Sequence, residues 1–483
     1  MPDGSRHHWW VLSVTGLGVL LTGLNTSTLA VALPVVSRHF HATATQASWL
    51  LLSYMLVTTV LILSFGRVAD IVGRRQMYIA GLGLFTLASL LAGFSPNADV
   101  LVGIRALQAV GAASIITNTT AILTDAFPAR QLTLALGLNV TMISGAQVLG
   151  PLVGGFVATT AGWRAVFWFN VPVGVAGLVW AGLVLRRNYG SGGRRRGESF
   201  DVLGAVLSFV VIGALVLTLS EGGAIGWASW PVFAGAICFV VFTPLFVWTQ
   251  LRRIHPLVDL SLLADRERAM AYLANLLLSV ARFAIVILAS LYVQAARGTD
   301  SFHAGLQVLP VAFGMMVASP VAGRLAVRVP ARVLSTVGLG VVAAGLAALA
   351  VVISPEIGYP ALTAILFVIG AGCGFFQSPN TSSIMASVPA DRRGIANGMR
   401  STLQNAGYVS STALTLAIVT GPLRPAEKSA AYAGELSRLP GADLDAFTGG
   451  YRIALLLLAV LTAAGAGVSL MRSGRREGGA AVD

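Results

Sequence analysis

Apolar residues run along this chain in blocks of about twenty, separated by short polar connections. No stretch alternates with the period of two that marks a half-buried strand. A helix needs about 20 mostly apolar residues to cross the hydrocarbon of a bilayer. Fourteen blocks reach that length, over 9–34, 46–69, 77–95, 99–123, 133–160, 164–186, 202–219, 231–251, 270–295, 304–326, 333–353, 360–386, 394–420 and 451–471. The pattern therefore predicts an all-α, polytopic membrane protein of fourteen spans. Composition agrees, because 56% of residues are hydrophobic and 11% charged, against roughly 25% charged in soluble domains. An apolar stretch from Trp9 preceded by Arg6 resembles a signal peptide, but so many spans follow that an uncleaved first span is expected.

Charge sets the orientation. The net charge of +13 would suggest a nucleic-acid partner on a soluble chain, but here the basic residues sit between apolar blocks. Basic residues accumulate in cytoplasmic connections of membrane proteins. With the N-terminus inside, 22 of the 32 basic residues fall on the cytoplasmic side, 7 outside and 3 within spans. This predicts cytoplasmic termini, an even number of spans, a location in the cytoplasmic membrane and no nucleic-acid partner. Cys238 and Cys373 both lie inside apolar blocks without metal-ligand spacing and read as small buried hydrophobes.

A segment recurs. Gly66 to Arg75, after the second span, shares Gly, Arg, Ala, Val and the final Arg in register with Gly323 to Arg332, after the tenth. Internal repeats are a sign of transporter architecture. Two six-span halves place such copies six spans apart, and here the offset is eight. Two spans, 202–219 and 231–251, are therefore read as inserted between the halves. The expected organisation is an N-terminal six-helix bundle over 1–190, a linker with two inserted spans over 191–255, and a C-terminal six-helix bundle over 256–483.

These residues resemble the major facilitator superfamily, and within it the fourteen-span drug:proton antiporter branch. After span 2, Gly66, Arg67, Asp70, Gly73, Arg74 and Arg75 look like the family's loop motif. In span 4, Arg105, Gln108 and Gly111 match the motif around an intramembrane arginine, with Ala109 where glycine is usual. In span 5, Gly145, Gly150, Pro151, Gly154 and Gly155 match the antiporter motif. Trp163 to Pro172 and Phe376 to Asn380 are also typical of the branch. The resemblance implies a major facilitator fold and a conformational latch at the first motif, with Asp70 bonding to the other half when the cytoplasmic side is closed. Val327 stands where the second copy would have that acid, so the second latch is expected to be weaker or absent. The span-5 glycines clear one helix face for close packing, and Pro151 permits a kink. The resemblance implies that this face slides against the second half during transport.

The acidic residues all fall in loops, termini or span ends, whereas Arg105, Arg282 and Arg400 lie inside spans. A charge at bilayer depth costs at least ~2.5–3.5 kcal/mol, so each reads either as a functional group or as a structural pin bonded to backbone carbonyls. Span 1 carries Asn25 where the branch has an aspartate thought to carry the coupled proton. An amide does not titrate, so proton coupling at this position is lost and Asn25 is read as a substrate hydrogen-bonding group. Buried positive charge without a central acid favours a neutral or anionic amphiphile over a permanent cation.

By analogy with the family, the cavity is lined by spans 1, 2, 4 and 5 with spans 9, 10, 12 and 13. Polar candidates in the first half are Asn25, Tyr54, Asn118, Asn139 and Gln147. In the second they are Asn275, Gln377, Asn380, Gln404 and Asn405. Apolar candidates are Met142, Phe283 and Phe376. Ala426 to Leu439, in the long connection 421–450, mixes charged and apolar residues like a short amphipathic helix, either a lid or, the favoured reading, a surface helix. No Gly-rich phosphate loop and no nucleophile–base arrangement is present. The expected protein is not an enzyme and takes no cofactor or metal. It is a monomer in a lipid bilayer that exports small amphiphilic molecules, driven by protons. An exporter or flippase of an anionic lipid or natural product is the alternative, and a non-transporting membrane sensor is the alternative of another class.

Overall fold

The computed structural model describes residues 7–185, 201–224, 226–253, 263–326, 328–354, 357–388, 393–439 and 443–472. Helices account for nearly all of them, and no strand occurs among the described residues. In chain order they are α1 (His7–Phe40), α2 (Ala44–Val72), α3 (Arg74–Ala92), α4 (Ala98–Ala126), α5 (Ala129–Thr160), α6 (Gly162–Trp168) and α7 (Asn170–Val184). Then follow α8 (Val202–Ala224), α9 (Trp230–Arg252), α10 (Arg266–Arg297), α11 (Ser301–Leu325), α12 (Ala331–Val352), α13 (Tyr359–Ala386), α14 (Arg393–Thr420), α15 (Pro425–Tyr432) and α16 (Leu444–Leu470). Most run beyond the expected spans at one or both ends. The sixth block is broken at Phe169 into α6 and α7. Pro172 offers no N–H to the preceding turn, and Asn170 Nδ2 donates to the Phe167 carbonyl at 3.2 Å.

Twelve helices, with α6–α7 taken together, are long and apolar enough to cross a bilayer among the described residues. The two other predicted spans correspond to α5 and α14, helices of 32 and 28 residues.

The helices begin where the sequence supplies caps. Thr43 and Gln46 form a capping box at α2, and Asn97 accepts from the Val100 N–H at α4. Asp201, Asp265, Asp300 and Asp443 cap α8, α10, α11 and α16. An anionic cap satisfies orphan N–H groups and complements the helix dipole. That is the physical reason so many acids stand at span ends.

Helices α1–α7 pack chiefly on one another, and so do α10–α16. The repeat persists in three dimensions. Gly81 and Gly111 bring α3 against α4 backbone to backbone, and Gly338 and Gly372 do the same for α12 and α13. Gly338 follows Gly323 by the same fifteen positions that separate Gly81 from Gly66. The closing arginine of each repeat copy also plays one part twice. Arg75 Nε donates to the Leu185 carbonyl at 2.9 Å, after α7, and Arg332 Nη1 donates to the Arg472 carbonyl at 3.3 Å, after α16. A cation at the carbonyl end of a helix is favourable, so each copy pins the last helix of its own half.

The inserted pair has its own place. Helix α9 packs essentially on α8 alone and shows a long apolar face, with Val240, Val241 and Leu251 more than half exposed. Helix α8 touches both halves, α2 on one side and α14 on the other.

Only the first part of 426–439 forms the expected amphipathic helix, with one face buried and Pro425 and Ala426 exposed. Helix α15 is followed by a 3-10 turn at Leu436–Arg438, and Glu427, Ala431 and Tyr432 are buried. The element is seated on α1, α2 and α10, because its apolar residues and Tyr432 fill the space between those helix ends.

Candidate functional site

Arg105 is the best-defined intramembrane charge. It is 1% exposed. Its Nη1 donates to Asn25 Oδ1 and to Gln108 Oε1, each at 2.5 Å, and its Nε to the Leu50 carbonyl at 3.3 Å. The guanidinium lies 4.3 Å from the centre of the Tyr54 ring, a cation–π geometry. Gln108 Nε2 in turn donates to Ser89 Oγ at 2.7 Å. Five groups from α1, α2, α3 and α4 thus share one network around a cation with neutral acceptors. Asn25, expected to meet substrate, is 2% exposed and is bonded to Arg105.

Arg282 and Arg400 lie elsewhere, half-buried on α10 and α14, which pack against each other. Arg400 starts a ladder along α14. Its Nη1 donates to Gln404 Oε1 at 3.0 Å, and Gln404 Nε2 donates to the Tyr408 hydroxyl at 2.6 Å. The Tyr408 ring stacks on Phe283 of α10 at 5.1 Å. Residues 400, 404 and 408 are one turn apart and share a helix face. Asn275 Nδ2 reaches the Arg400 carbonyl at 3.4 Å. The three intramembrane arginines therefore do not form one cluster: one is sealed in the first half, and two stand on helices of the second half that pack on each other.

The remaining candidates sort by burial. Asn118 is fully buried and bonds the Ser114 carbonyl of its own helix at 2.8 Å. Phe376 is part of the second-half core. Asn380 is buried between α10 and the chain after α16, donating to the Ala271 carbonyl at 3.2 Å and accepting from Arg472 Nη1 at 3.0 Å. Arg472, expected in a cytoplasmic tail, is 2% exposed and also donates to Ser383 Oγ at 2.6 Å. Met142 packs against Gly16 of α1. Asn139 is buried with no partner for its Nδ2, and Gln377 and Asn405 are half-buried. The Gln147 side chain lies outside the described residues.

The span-5 glycines divide between two surfaces. Gly150 and Gly154 press on Ser27 and Thr28 of α1, within the same half, and Gly145 meets no neighbour. Gly155 faces the backbone of Ser301 and Phe302 at the start of α11, and Gly305 of α11 faces the Pro151 carbonyl. Only part of the motif face thus reaches the second half. In the first motif, Gly73 has φ +107° and ends α2 while starting α3, a backbone region that glycine alone adopts without strain. Arg74 Nη1 pairs with Asp125 at 2.8 Å, and Arg75 caps α7 as described. Gly66 and Arg67 precede Asp70 on α2. Their side chains, that of Asp70, and Val327 lie outside the described residues, as does the latch bond expected of Asp70.

Contacts between the halves collect at the end of the bundle where α1 passes into α2. There, Arg38 pairs with Glu435 at 3.5 Å, and Ser48 and Tyr432 share a hydrogen bond of 2.9 Å. Gln294 Nε2 donates to the Val31 carbonyl at 3.2 Å. Phe283, Ile287 and Leu291 of α10 and Tyr408 to Leu416 of α14 join the first-half core. Further along the bundle, Thr412 Oγ1 of α14 reaches the Met55 sulfur of α2 at 3.8 Å.

The bundle thus has two matched halves, the first of which holds a buried arginine-centred network. The sequence profile of the Major Facilitator Superfamily matches residues 15–412. The chain belongs to this superfamily. The transporter is 32% identical over 404 residues to the multidrug resistance protein Stp of Mycobacterium tuberculosis, covering 83% of this chain and 74% of that one. It is 27% identical to the tetracenomycin C resistance and export protein of Streptomyces glaucescens (84% and 75% covered) and 26% identical to the riboflavin transporter RibZ of Clostridioides difficile (84% and 87%). Among solved structures it resembles a bacterial homologue of the lysosomal transporter Spinster, inward-facing and unoccupied, with TM-score 0.66, 15% identity and 96% and 97% coverage. The nucleoside transporter NupG gives TM-score 0.63 at 9% identity, covering 98% and 100%. The transporter is thus an integral membrane protein with drug-resistance relatives, and not an enzyme.

Proposed function

We propose that this transporter exports small amphiphilic molecules from the cytoplasm by alternating access, driven by the proton gradient. One observation carries the reading. Three polar contacts join the halves at the α1–α2 end of the bundle, as expected of a carrier closed on that side. With the arginine-rich connections inside, the α1–α2 end is external, both termini are cytoplasmic, and the conformation is closed outside. Helices α5 and α14 complete fourteen spans, because their lengths suffice and both are packed between spanning helices. Division into 1–190, 191–255 and 256–483 follows. The resistance and export relatives support an outward direction and an amphiphilic cargo, and a monomer in the cytoplasmic membrane suffices for the mechanism.

The Arg282–Arg400 pair favours a second, narrower reading: a cargo that is an anionic aromatic, natural product or lipid. An anion between two opposed cations relieves their repulsion, and the Phe283–Tyr408 stack offers a planar apolar surface beside it. Proteoliposomes with an imposed pH gradient test both readings, using riboflavin, anilinonaphthalene sulfonate and ethidium as probes. Gradient-dependent flux of riboflavin or the sulfonate above protein-free liposomes is expected, with Arg400→Gln reducing sulfonate flux more than riboflavin flux. Absence of flux for all three, with or without the gradient, leaves a non-transporting sensor. Robust ethidium export competing at the same site removes the anionic preference.

A further inference from the structure

The first-half network holds no acid, because Asn25 fills the position of the branch's carboxylate. A buried acid does occur nearby. Glu221 stands at the end of the seventh span, where the acids were expected, and α8 continues to Ala224, so the residue lies in the last turn of a helix long enough to cross a membrane. The residue is 7% exposed, and its Oε1 accepts a hydrogen bond from the Trp49 indole Nε1 of α2 at 3.2 Å. The Trp227 ring lies over the adjacent Gly222, where a Cβ would meet it at 2.7 Å. Among the described residues, Glu221 is the one acid buried within a membrane-spanning helix. Asp and Glu within membrane-spanning segments often mark ion and proton pathways.

The setting connects this acid to Arg105. Trp49 binds Glu221, and the next residue, Leu50, gives its carbonyl to Arg105 Nε. One turn further on, Tyr54 lies under the same guanidinium. Glu221 and Arg105 therefore hold one stretch of α2 from opposite sides. The helices packed against α8 carry other titratable and charged groups. On α2 they are Tyr54 and, at the other end, Arg67 and Asp70. On α9 they are Cys238 and Arg252, and on α14 Arg393, Arg400 and Tyr408. At the external end the neighbouring elements bring Asp99, bonded to Gln46 of α2, and Lys428 of α15.

We propose that Glu221 of the inserted helix pair is a proton-binding site of the transport cycle, taking the place of the carboxylate missing at Asn25. The step is a simple proton uptake: one carboxylate oxygen gains a proton from external water. The Trp49 N–H then donates to a neutral acid instead of an anion. Hydrogen bonds to an ionised acceptor are roughly twice as strong as neutral ones, so protonation loosens α2 from α8 at the external seal. This role presupposes the proton-driven transport proposed above.

The test uses the full-length protein in lipid nanodiscs and proteoliposomes. Infrared difference spectra over a pH titration, without substrate, are expected to show a protonated-carboxyl band that Glu221→Gln abolishes. Trp49→Phe, which leaves the carboxyl in place, should keep the band. An unchanged band in Glu221→Gln overturns the proposal. In proteoliposomes, Glu221→Gln should abolish pH-gradient-driven riboflavin flux while leaving riboflavin counterflow intact, and Glu221→Asp should restore part of the driven flux. Gradient-driven flux at the wild-type rate in Glu221→Gln also overturns it. If the wild type moves no probe, the transport reading falls, and the infrared result still decides whether Glu221 takes up a proton.

Discussion

At the scale of single residues, Asn25 is the most informative departure from the resembled family. Its Oδ1 stands against Arg105 Nη1, where an aspartate would make an ion pair. The amide keeps the hydrogen bond and surrenders the titration. A hydrogen bond to a charged group contributes about 1.5–3 kcal/mol, so Asn25→Ala should destabilise the purified protein by that amount, read as a lowered melting temperature. A melting temperature equal to that of the wild type would mean that water replaces the amide at no cost. Outside the membrane, Glu427 is held by Arg424, whose side chain and backbone N–H both donate to it, with the Asp443 N–H adding a third contact. These bonds pull its carboxyl from 4.5 down to about 2. A depressed pKa stabilises the fold above the ordinary value and is lost as pH falls through the depressed one. The seating of α15 should therefore persist above about pH 4.5 and weaken as pH falls toward 2. Glu427→Gln should remove that window, measured as hydrogen exchange of the α15 amides against pH. Identical profiles in variant and wild type would show that α15 is seated by apolar contact alone.

At the scale of elements, much was legible and the remainder has identifiable causes. Helix positions follow from apolar block length, and the repeat follows from Gly66 and Gly323, with their partners in register. Arg400, Gln404 and Tyr408 sit at helical spacing, so the ladder was readable although Tyr408 was passed over. Glu221 lies just past the seventh apolar block yet within the last turn of α8, because helix ends are set by caps and contacts, which apolar block length does not report. The seat of α15 was not legible either, since it depends on cavities between helices distant in sequence. The span-5 motif shows the same division. Its glycines announce close packing, but only the structure assigns Gly150 and Gly154 to α1 and Gly155 to α11. At Gly155 even a methyl group would meet the Ser301 carbonyl and the Phe302 Cα, and backbone does not yield as a flexible side chain does. Gly155→Ala should thus hold the external ends of α5 and α11 apart. Spin labels at Arg38→Cys and Glu435→Cys, both partly exposed, should report a longer or broader distance in that variant. An unchanged distance would show that the seal closes without this contact.

At the scale of the whole molecule, the two halves and the inserted pair form a device whose state depends on a few contacts at one end. The pairing of halves was beyond the sequence because nothing local in Arg38 announces Glu435, nor in Ser48 announces Tyr432. Individually these contacts are modest. The Arg38–Glu435 pair is 38% and 40% exposed, and exposed pairs contribute about 0.2–1 kcal/mol. Such weakness suits a seal that must open in every cycle, because a strong closure would trap the carrier in one state. The bulk of the closure lies in apolar packing of α10 and α14 on the first half, which is non-directional and can be re-formed elsewhere as the halves rock. Alternating access makes a definite demand on this end. If it stays shut, cargo that enters from the cytoplasm cannot leave. Cysteines at positions 38 and 435 joined by a bifunctional reagent with a cleavable disulfide should therefore reduce riboflavin flux in proteoliposomes to the protein-free background. Riboflavin binding to the detergent-solubilised, crosslinked protein should persist, because the reagent joins the halves at this end alone. Reductive cleavage of the reagent should restore flux. Transport at the uncrosslinked rate with the reagent in place would mean that the two halves do not part here, and the rocking mechanism would have to be abandoned for this transporter.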